Sequence, residues 1–562
     1  MTPIETDLAK LLSDSLQKAF GGSFPLSEAE TLFKAPREEK FGDLTTPIVL
    51  KLSKERKLSP RPSAEALLKY LEAGLDTFSL RGRISKITVE DPGFINFYFS
   101  NREIASVILK IKKEGSQFGK PKITHKKKIL LEFVSANPTG PLTVAHGRQA
   151  ALGDSLARIL KFCGHEVTKE YYNNDEGVQI HTLGASTLLR LKEIVSGHSA
   201  GELPENYYQG AYLIEIAGQL LKREPQITKL PEPKQLEKSS QFAKDEIMKG
   251  IKRDLADFDV NFDNYYSQEA LAKSGKVEQT LGDLKSKNVL YESEGALWFR
   301  STDFGDDKDR VLIKSDKSYT YFTPDIAYHQ DKFRRGFDEL IDILGPDHHG
   351  YIARLKASQT ALGKSADQIH VLIAQLVTLF EGTRQVRMST RAGEFVTLRQ
   401  ILDEVGKDAG RFFFVMRKFD AHLDFDLALA KSQTPENPVF YIQYAHARVE
   451  SIKNQAKEKN IEVSWSNTTC LSKLSNPMEI RILRILSQFE ASIMGAEKTL
   501  EPYRLVPYLM DLAGSFHRFY AENRVICDDA ELIQARMMLA IAVQTVIRTG
   551  LELLGVSAPL KM

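Results

Sequence analysis

One stretch limits what this chain can fold into more than any other: KILLEFVSANPTGPLTVAHGRQAALGDSLARILKF, centred on residues 129–154. Residues 129–134 are a short apolar run rich in branched side chains, which suits a buried parallel strand. Residues 147–162 place Ala150, Ala151, Ser155, Ile159 and Phe162 at helical spacing, so a helix is expected to begin near His146. Between them Pro138, Gly140 and Pro141 keep both regular elements out of the loop. Such a strand, loop and helix turns free backbone N–H groups and the positive end of the helix dipole toward whatever the loop encloses, a setting that suits phosphates.

The chain has 562 residues, and at roughly 150 residues per domain this implies about three or four domains. With 42% hydrophobic and 27% charged residues it has the composition of a soluble globular protein. No window approaches the roughly 18 consecutive apolar residues of a membrane span. The opening MTPIETDLAKLL lacks a basic start followed by an apolar block, so the expectation is a cytoplasmic protein without a membrane. Cys163, Cys470 and Cys527 stand far apart, and neither a disulfide framework nor a zinc knuckle is indicated. The net charge of +2 means that a polyanionic partner would be held by local patches. Two basic clusters qualify, one at Lys51, Lys54, Arg56, Lys57 and Arg61, the other at Lys120, Lys122, Lys126, Lys127 and Lys128. Either one taken singly reads as a solvated face or linker.

Along the chain, residues 1–118 read as an α+β unit with a helix from Ile4 to Phe20 and a strand pair turned at Asp91-Pro92-Gly93. A second unit, 119–395, opens with the stretch above and continues through Gly164 as a helix stop into HEVTKEYYNND as the next strand. A crossover of this length implies a right-handed parallel pair with ligand at the C-terminal strand ends, a Rossmann-like arrangement. Neither a G-x-G-x-x-G fingerprint nor a Walker glycine loop follows the first strand, which removes support for dinucleotide binding and P-loop hydrolysis. About 182–273 reads as a helical insertion. Residues 296–322 read as hairpin strands ending in YTYF, and LIDIL and HVLIAQ as parallel strands. A connecting helical segment at 396–436 and an all-α bundle at 437–562 complete the expectation.

Three segments are chemically loaded. The first carries Glu132, Asn137, Thr143 and His146. The second carries Tyr321, Asp325 and His329, with Tyr321 and Asp325 four apart, a spacing that puts them on one helix face. The third, QVRMSTRAGEFV, sets Arg384, Arg387 and Arg391 around Ser389 and Thr390, cations suited to an anionic leaving group. Gly345-Pro346-Asp347-His348-His349-Gly350 could be read as a metal cluster, but adjacent residues at a strand end diverge and no second cluster completes a tetrahedral set, so no structural metal is expected.

LEFVSANPTGPLTVAHGR together with RMSTRAGEFVTL resembles the paired signatures of class I aminoacyl-tRNA synthetases. EYYNNDEG, GPDHHGY, LDFDLALAKSQTPENPVFYIQYAHARV and GLELLGVSAPLKM resemble the arginyl branch over essentially the whole chain. The resemblance implies a Rossmann-like catalytic core, an N-terminal α+β tRNA-binding domain and a C-terminal helical anticodon-binding domain. It implies ATP with Mg2+, L-arginine and the tRNA for arginine as partners, and a monomer is expected.

It further implies that Glu132, Asn137, Tyr321, Asp325 and Asp347 hold arginine, two carboxylates accepting the donor fork of a guanidinium. Thr143, His146, Gly147, Gly345, Asp347, His348, Met388 and Ser389 would lie at ATP, with His146, Thr143, Arg387, Ser389 and Arg391 carrying the chemistry. In the H-x-G-H signature only the second histidine, His146, is present, with Thr143 at the first position. In the K-M-S-K signature Arg387-Met388-Ser389-Thr390 lacks the second lysine. Some arginyl enzymes place a lysine just before the first signature, where this chain has Gly140. Arg391 is the expected substitute, and the alternative reading is a weakened paralogue that binds tRNA or arginine. In the C-terminal bundle Phe516, Arg518, Phe519, Tyr520 and the final Leu560-Lys561-Met562 are candidates for base contacts.

Overall fold

The computed structural model describes residues 3–22, 24–25, 33–34, 36, 38–198, 203–382, 384–386 and 396–562. These residues fall into two compact units. One comprises Met1–Phe118, Val449–Gln488 and Gly514–Val546; the other comprises Gly119–Arg448, Phe489–Ala513 and Ile547–Met562.

In the first unit the helix Pro3–Phe20 buries Leu8, Leu11, Leu12 and Leu16, the face its periodicity predicts. They pack with Ile95 and Phe97 of a three-stranded antiparallel sheet, β1 (Leu44–Thr46), β2 (Ile84–Glu90) and β3 (Phe94–Phe99), in the order β1–β3–β2. The turn at Asp91-Pro92-Gly93 joins β2 to β3 as expected. Phe516 and Phe519 are buried in this unit, their ring centroids 6.2 Å apart, so they are core residues and present no face to a base. For these two aromatics core packing, the better expectation for any single aromatic, holds over base contact. A Phe three residues from another on a helix lands on the same apolar stripe. The helix Ala530–Leu553 is the one described helix long and apolar enough to cross a membrane, and 61% of its most apolar stretch is buried within the protein.

The second unit is organised on a five-stranded, all-parallel sheet in the order β11–β10–β4–β5–β6. Its first members are β4 (Lys128–Glu132), β5 (Glu166–Asn173) and β6 (Asn264–Ser267). A small antiparallel sheet of β7 (Leu290–Ser293), β8 (Ala296–Phe299) and β9 (Arg310–Ile313) follows. The chain then returns to the core sheet through β10 (Glu339–Leu344) and β11 (Ile369–Ile373). A last sheet joins β12 (Val377–Glu381), β13 (Arg384–Gln385) and β14 (Leu423–Asp426). The strand order runs one way from β4 to β6 and the other way from β10 to β11. Ligand crevices form where such an order reverses, outside the carboxyl ends of β4 and β10.

Several expectations are corrected. The stretch 182–273 holds the helices Val178–Ser196, Tyr212–Arg223 and Glu232–Asp257 but also contains β6, a core strand four residues long. Its tyrosines pair in register with those of β5, Tyr171 opposite Tyr265 and Tyr172 opposite Tyr266. Four residues are too few to show a period, and the stabilising partner lies far away in sequence. β7 and β12 were not expected, and YTYF ends as a single bridge between Tyr319 and Ile313 before a helix begins at Phe322. The region after Val396 is not wholly helical, since β14 pairs in parallel with β12. Its LDFD alternates, with Leu423 and Phe425 buried. The opening strand stops at Glu132 and the helix starts at Val144.

Candidate active site

At the end of β4 the chain makes a tight bend. Val134 has φ +68° and Ser135 φ +40°, and the Ser135 N–H donates to Phe133 O at 2.9 Å, closing a γ-turn of the strained hand. A branched side chain at positive φ costs on the order of 1–3 kcal/mol. The bend brings the Ser135 hydroxyl back to donate to Glu132 Oε1 at 3.0 Å, while it accepts from the Tyr172 N–H at 3.1 Å.

Parallel register then lines up acids. Glu170 of β5 is opposite Glu132 of β4, which is opposite Asp342 of β10. Residues opposite each other in a parallel sheet share a face, so three carboxylates form a row across three strands. They are 0%, 6% and 2% exposed respectively. Neighbouring unit charges about 5 Å apart at an effective dielectric of about 20 repel by about 3 kcal/mol, so the row requires partners.

One helix, Phe322–Arg334, supplies most of them. Lys332 is fully buried and its ammonium donates to Glu132 Oε2 at 2.6 Å and Asp342 Oδ1 at 2.7 Å. It also stands 4.3 Å from the centre of the Tyr328 ring. His329 Nε2 meets Asp342 Oδ2 at 2.9 Å. Arg335, just past the helix, grips Glu170 at 2.6 and 2.8 Å, and the Tyr328 hydroxyl donates to Glu170 Oε1 at 2.7 Å. Burial alone would raise the Asp342 carboxyl, but Lys332 and His329 together hold it well below its ordinary range. Burial likewise opposes the Lys332 charge, and Asp342, Glu132 and Glu170 overcome that and raise its pKa.

Asp325, two turns before Lys332, is treated differently. It lines a cavity of about 560 Å³ with Glu132, Asn137, Asp342 and Arg354. Burial pushes its carboxyl up despite a hydrogen bond from Tyr351. No cation lies within ion-pair distance of it among the described residues. Arg354 is turned against the rings of Tyr351 and Phe322, at 4.7 and 5.7 Å. An acid open to a cavity, its charge disfavoured by burial and held in no ion pair among the described residues, is prepared to accept a cationic ligand.

The opposite wall is the start of the helix Val144–Cys163. Thr143 is its N-cap, and the Thr143 N–H donates to His146 Nδ1 at 3.1 Å in a capping box. An accepting Nδ1 leaves the proton of the neutral ring on Nε2. Burial lowers the His146 pKa to about 4, so the ring is neutral and offers one N–H donor. The same helix start is joined to the chain that follows the second signature: Val144 N–H donates to Val396 O at 3.0 Å and Leu398 N–H to Leu142 O at 2.8 Å.

The structure brings Glu132, Asn137, His146, Tyr321, Asp325, Gly345, Asp347 and His348 to the walls of this one cavity. Tyr321 stands 87% exposed at the helix start. Asn137 donates its amide to Gln179 Oε1 at 2.7 Å. Thr143 and Gly147 do not line it. Thr143 serves as the cap, and a Cβ at Gly147 would meet Leu398 and Phe414 at 2.9 and 3.2 Å, so its smallness serves helix packing. At Gly140 a Cβ would meet the Tyr212 hydroxyl at 3.2 Å, which leaves a side chain little room there. Arg387, Met388, Ser389, Thr390 and Arg391 lie outside the described residues. Sequence reasoning missed Lys332, Asp342, Tyr351 and Arg354. The signal was present: polar residues at 325, 329 and 332 share a helix face, and Glu132, Glu170 and Asp342 interrupt apolar strands.

The chain matches three family profiles, the arginyl tRNA synthetase N terminal domain over residues 6–99, the catalytic domain of tRNA synthetases class I (R) over 107–418, and the DALR anticodon binding domain over 442–562. It is 42% identical over 562 residues to an arginine–tRNA ligase of Syntrophotalea carbinolica, covering 99% of each chain. A second relative, the arginine–tRNA ligase of Desulfosudis oleivorans, is 45% identical over 542 residues, covering 96% of this chain and 95% of that one. Among solved structures, the arginyl-tRNA synthetase of Thermus thermophilus shares the fold with a TM-score of 0.72 at 21% identity, over 100% of both chains.

Proposed function

The chain belongs to the arginine–tRNA ligase family of class I synthetases, and from that premise we propose that the cavity at the ends of β4 and β10 is where arginine is activated. The protein ligates L-arginine to its tRNA at the expense of ATP. The arginine carboxylate attacks the α-phosphorus of ATP, pyrophosphate leaves, and the terminal ribose hydroxyl of the tRNA then takes the arginyl group from the adenylate and releases AMP.

Asp325 carries the assignment of the arginine end, a cavity carboxylate in no ion pair among the described residues, beside Glu132, whose orientation is already fixed. A guanidinium presents a rigid fork of donors, and two adjacent carboxylates accept it in a way a single ammonium does not match. Asn137, Tyr321 and Asp347 complete this end. His146 Nε2–H and the helix start receive the phosphates, and Gly345 and His348 border the adenosine. Mg2+ comes with ATP as part of the substrate. Arg387, Ser389 and Arg391 stabilise the pyrophosphate, Arg391 standing in for the absent lysine. The C-terminal helices read the anticodon loop, and the protein works as a cytoplasmic monomer. No observation favours the weakened-paralogue alternative. Arginine-dependent pyrophosphate exchange, with and without tRNA, tests the assignment: exchange in the presence of tRNA supports it, and none under either condition overturns it.

A further inference from the structure

We infer that Lys332 is a specificity-determining positioning residue: its ammonium fills the site between Glu132 and Asp342 that a substrate ammonium would otherwise take, and fixes Glu132 to face a guanidinium. This rests on the assignment of the cavity to arginine. The partners of Lys332 are side chains of directly opposite residues on adjacent strands, at 2.6 and 2.7 Å, and no part of it reaches solvent. Glu132 is therefore held at both oxygens, Oε2 by Lys332 and Oε1 by the Ser135 hydroxyl at 3.0 Å. A carboxylate has about four lone-pair sites, so a held Glu132 keeps acceptors free in a fixed plane.

A buried ion pair of this kind contributes little net stability compared with apolar packing, and such pairs are retained where they specify. Without Lys332, Glu132 and Asp342 would form a compact pair of carboxylates next to Asp325, a site that accepts a substrate lysine or ornithine as readily as arginine. With it, the position between Glu132 and Asp342 is occupied, and an incoming ammonium meets a like charge behind these two cavity acids. The acid left to the ligand is Asp325 together with the free lone pairs of Glu132, which match a flat fork.

The test compares arginine and lysine in tRNA-supported pyrophosphate exchange by the full-length protein. In Lys332→Met the arginine KM is expected to rise roughly ten- to hundredfold, the worth of one hydrogen bond to a charged group, with a smaller change in kcat, and the arginine-over-lysine ratio of kcat/KM is expected to fall. Because Lys332→Met takes the shared ammonium from two buried acids, Lys332→Met with Asp342→Asn is made alongside it and is expected to lose the same discrimination; thermal melts report folding. An unchanged ratio in either folded variant overturns the inference, even if KM rises, because general damage alone does not redistribute preference. A structure of the unmutated protein with arginine decides independently of folding: Lys332 Nζ remaining on Glu132 supports the inference, and its displacement overturns it. Absence of arginine-dependent exchange in the unmutated protein defeats the functional assignment instead, so the two failures are distinct.

Discussion

Around Glu132 the polar side chains are buried and bonded to one another, whereas Asp347 and His348, at the same cavity, are 82% and 47% exposed and meet each other only at 3.6 Å. The first region is built from strand register and one helix face, so its geometry is settled when the sheet forms. The second sits on a short 3-10 helix, Pro346–Tyr351. Side chains that are free before binding lose roughly 0.5–1.5 kcal/mol each on being ordered. On the proposed assignment, the amino-acid end would discriminate by shape and charge already in place, and the nucleotide end would gain its order with the ligand. His146 lines the same cavity, capped and neutral like the first region.

The largest effect that would break this contrast is at Asp325. Asp325→Asn should lower kcat/KM for arginine by about 4 kcal/mol, roughly a thousandfold, without lowering the melting temperature, since burial already disfavours its charge. Exchange kinetics and a melt on the same sample check both halves, and a variant that keeps its arginine kcat/KM would show that the acid is not the guanidinium partner. Next comes His146→Ala, expected to slow exchange about a hundredfold by loss of one phosphate donor, with the arginine KM within about twofold. A large change in arginine KM would erase the division between the two ends. Arg391→Ala is expected to slow pyrophosphate release in the presence of tRNA roughly tenfold, and an unchanged rate would remove it as the substitute for the missing lysine.

The smallest effect concerns pH. The His146 value in the folded protein, about 4, lies below its ordinary 6.5. Between these two the unfolded chain binds the proton and the folded one does not, so the histidine has no effect on stability above about 6.5 and destabilises the fold progressively as pH falls toward about 4. The difference between the denaturation midpoints of the unmutated protein and His146→Gln should be constant above about 6.5 and shift against the unmutated protein as pH falls from about 6.5 to about 4. Parallel curves would mean that the ring is not buried in its neutral form.

Much of this arrangement was legible because the decisive elements repeat a period. The strand Lys128–Glu132, though it stops two residues before its expected end, the helix stop at Gly164, where φ is +106°, and the strands holding Asp342 and Val371 follow from apolar runs and turn residues. Grouping Glu132, Asn137, Tyr321, Asp325 and His146 came from the resemblance, and the structure sets all five on one cavity. Three features stayed hidden for physical reasons. β6 and β14 are four residues each and owe their conformation to distant partners. Thr143 reads as a depleted catalytic position, yet its backbone fixes the tautomer of His146. The carboxylate row depends on register, which no single segment encodes.

That row also restricts how such a sequence can drift. Glu132, Glu170 and Asp342 are joined by Lys332, Arg335, Tyr328 and His329 into one set of contacts. Residues sharing a network respond to substitution non-additively, with coupling of roughly 0.5–3 kcal/mol. A change at any one of them alters the worth of the others, so a single replacement here is expected to cost more than a matched pair. Variation at this end of the cavity is thus expected to arrive as linked exchanges between a strand end and the facing helix, and a library that randomises positions one at a time would judge the region more rigid than it is.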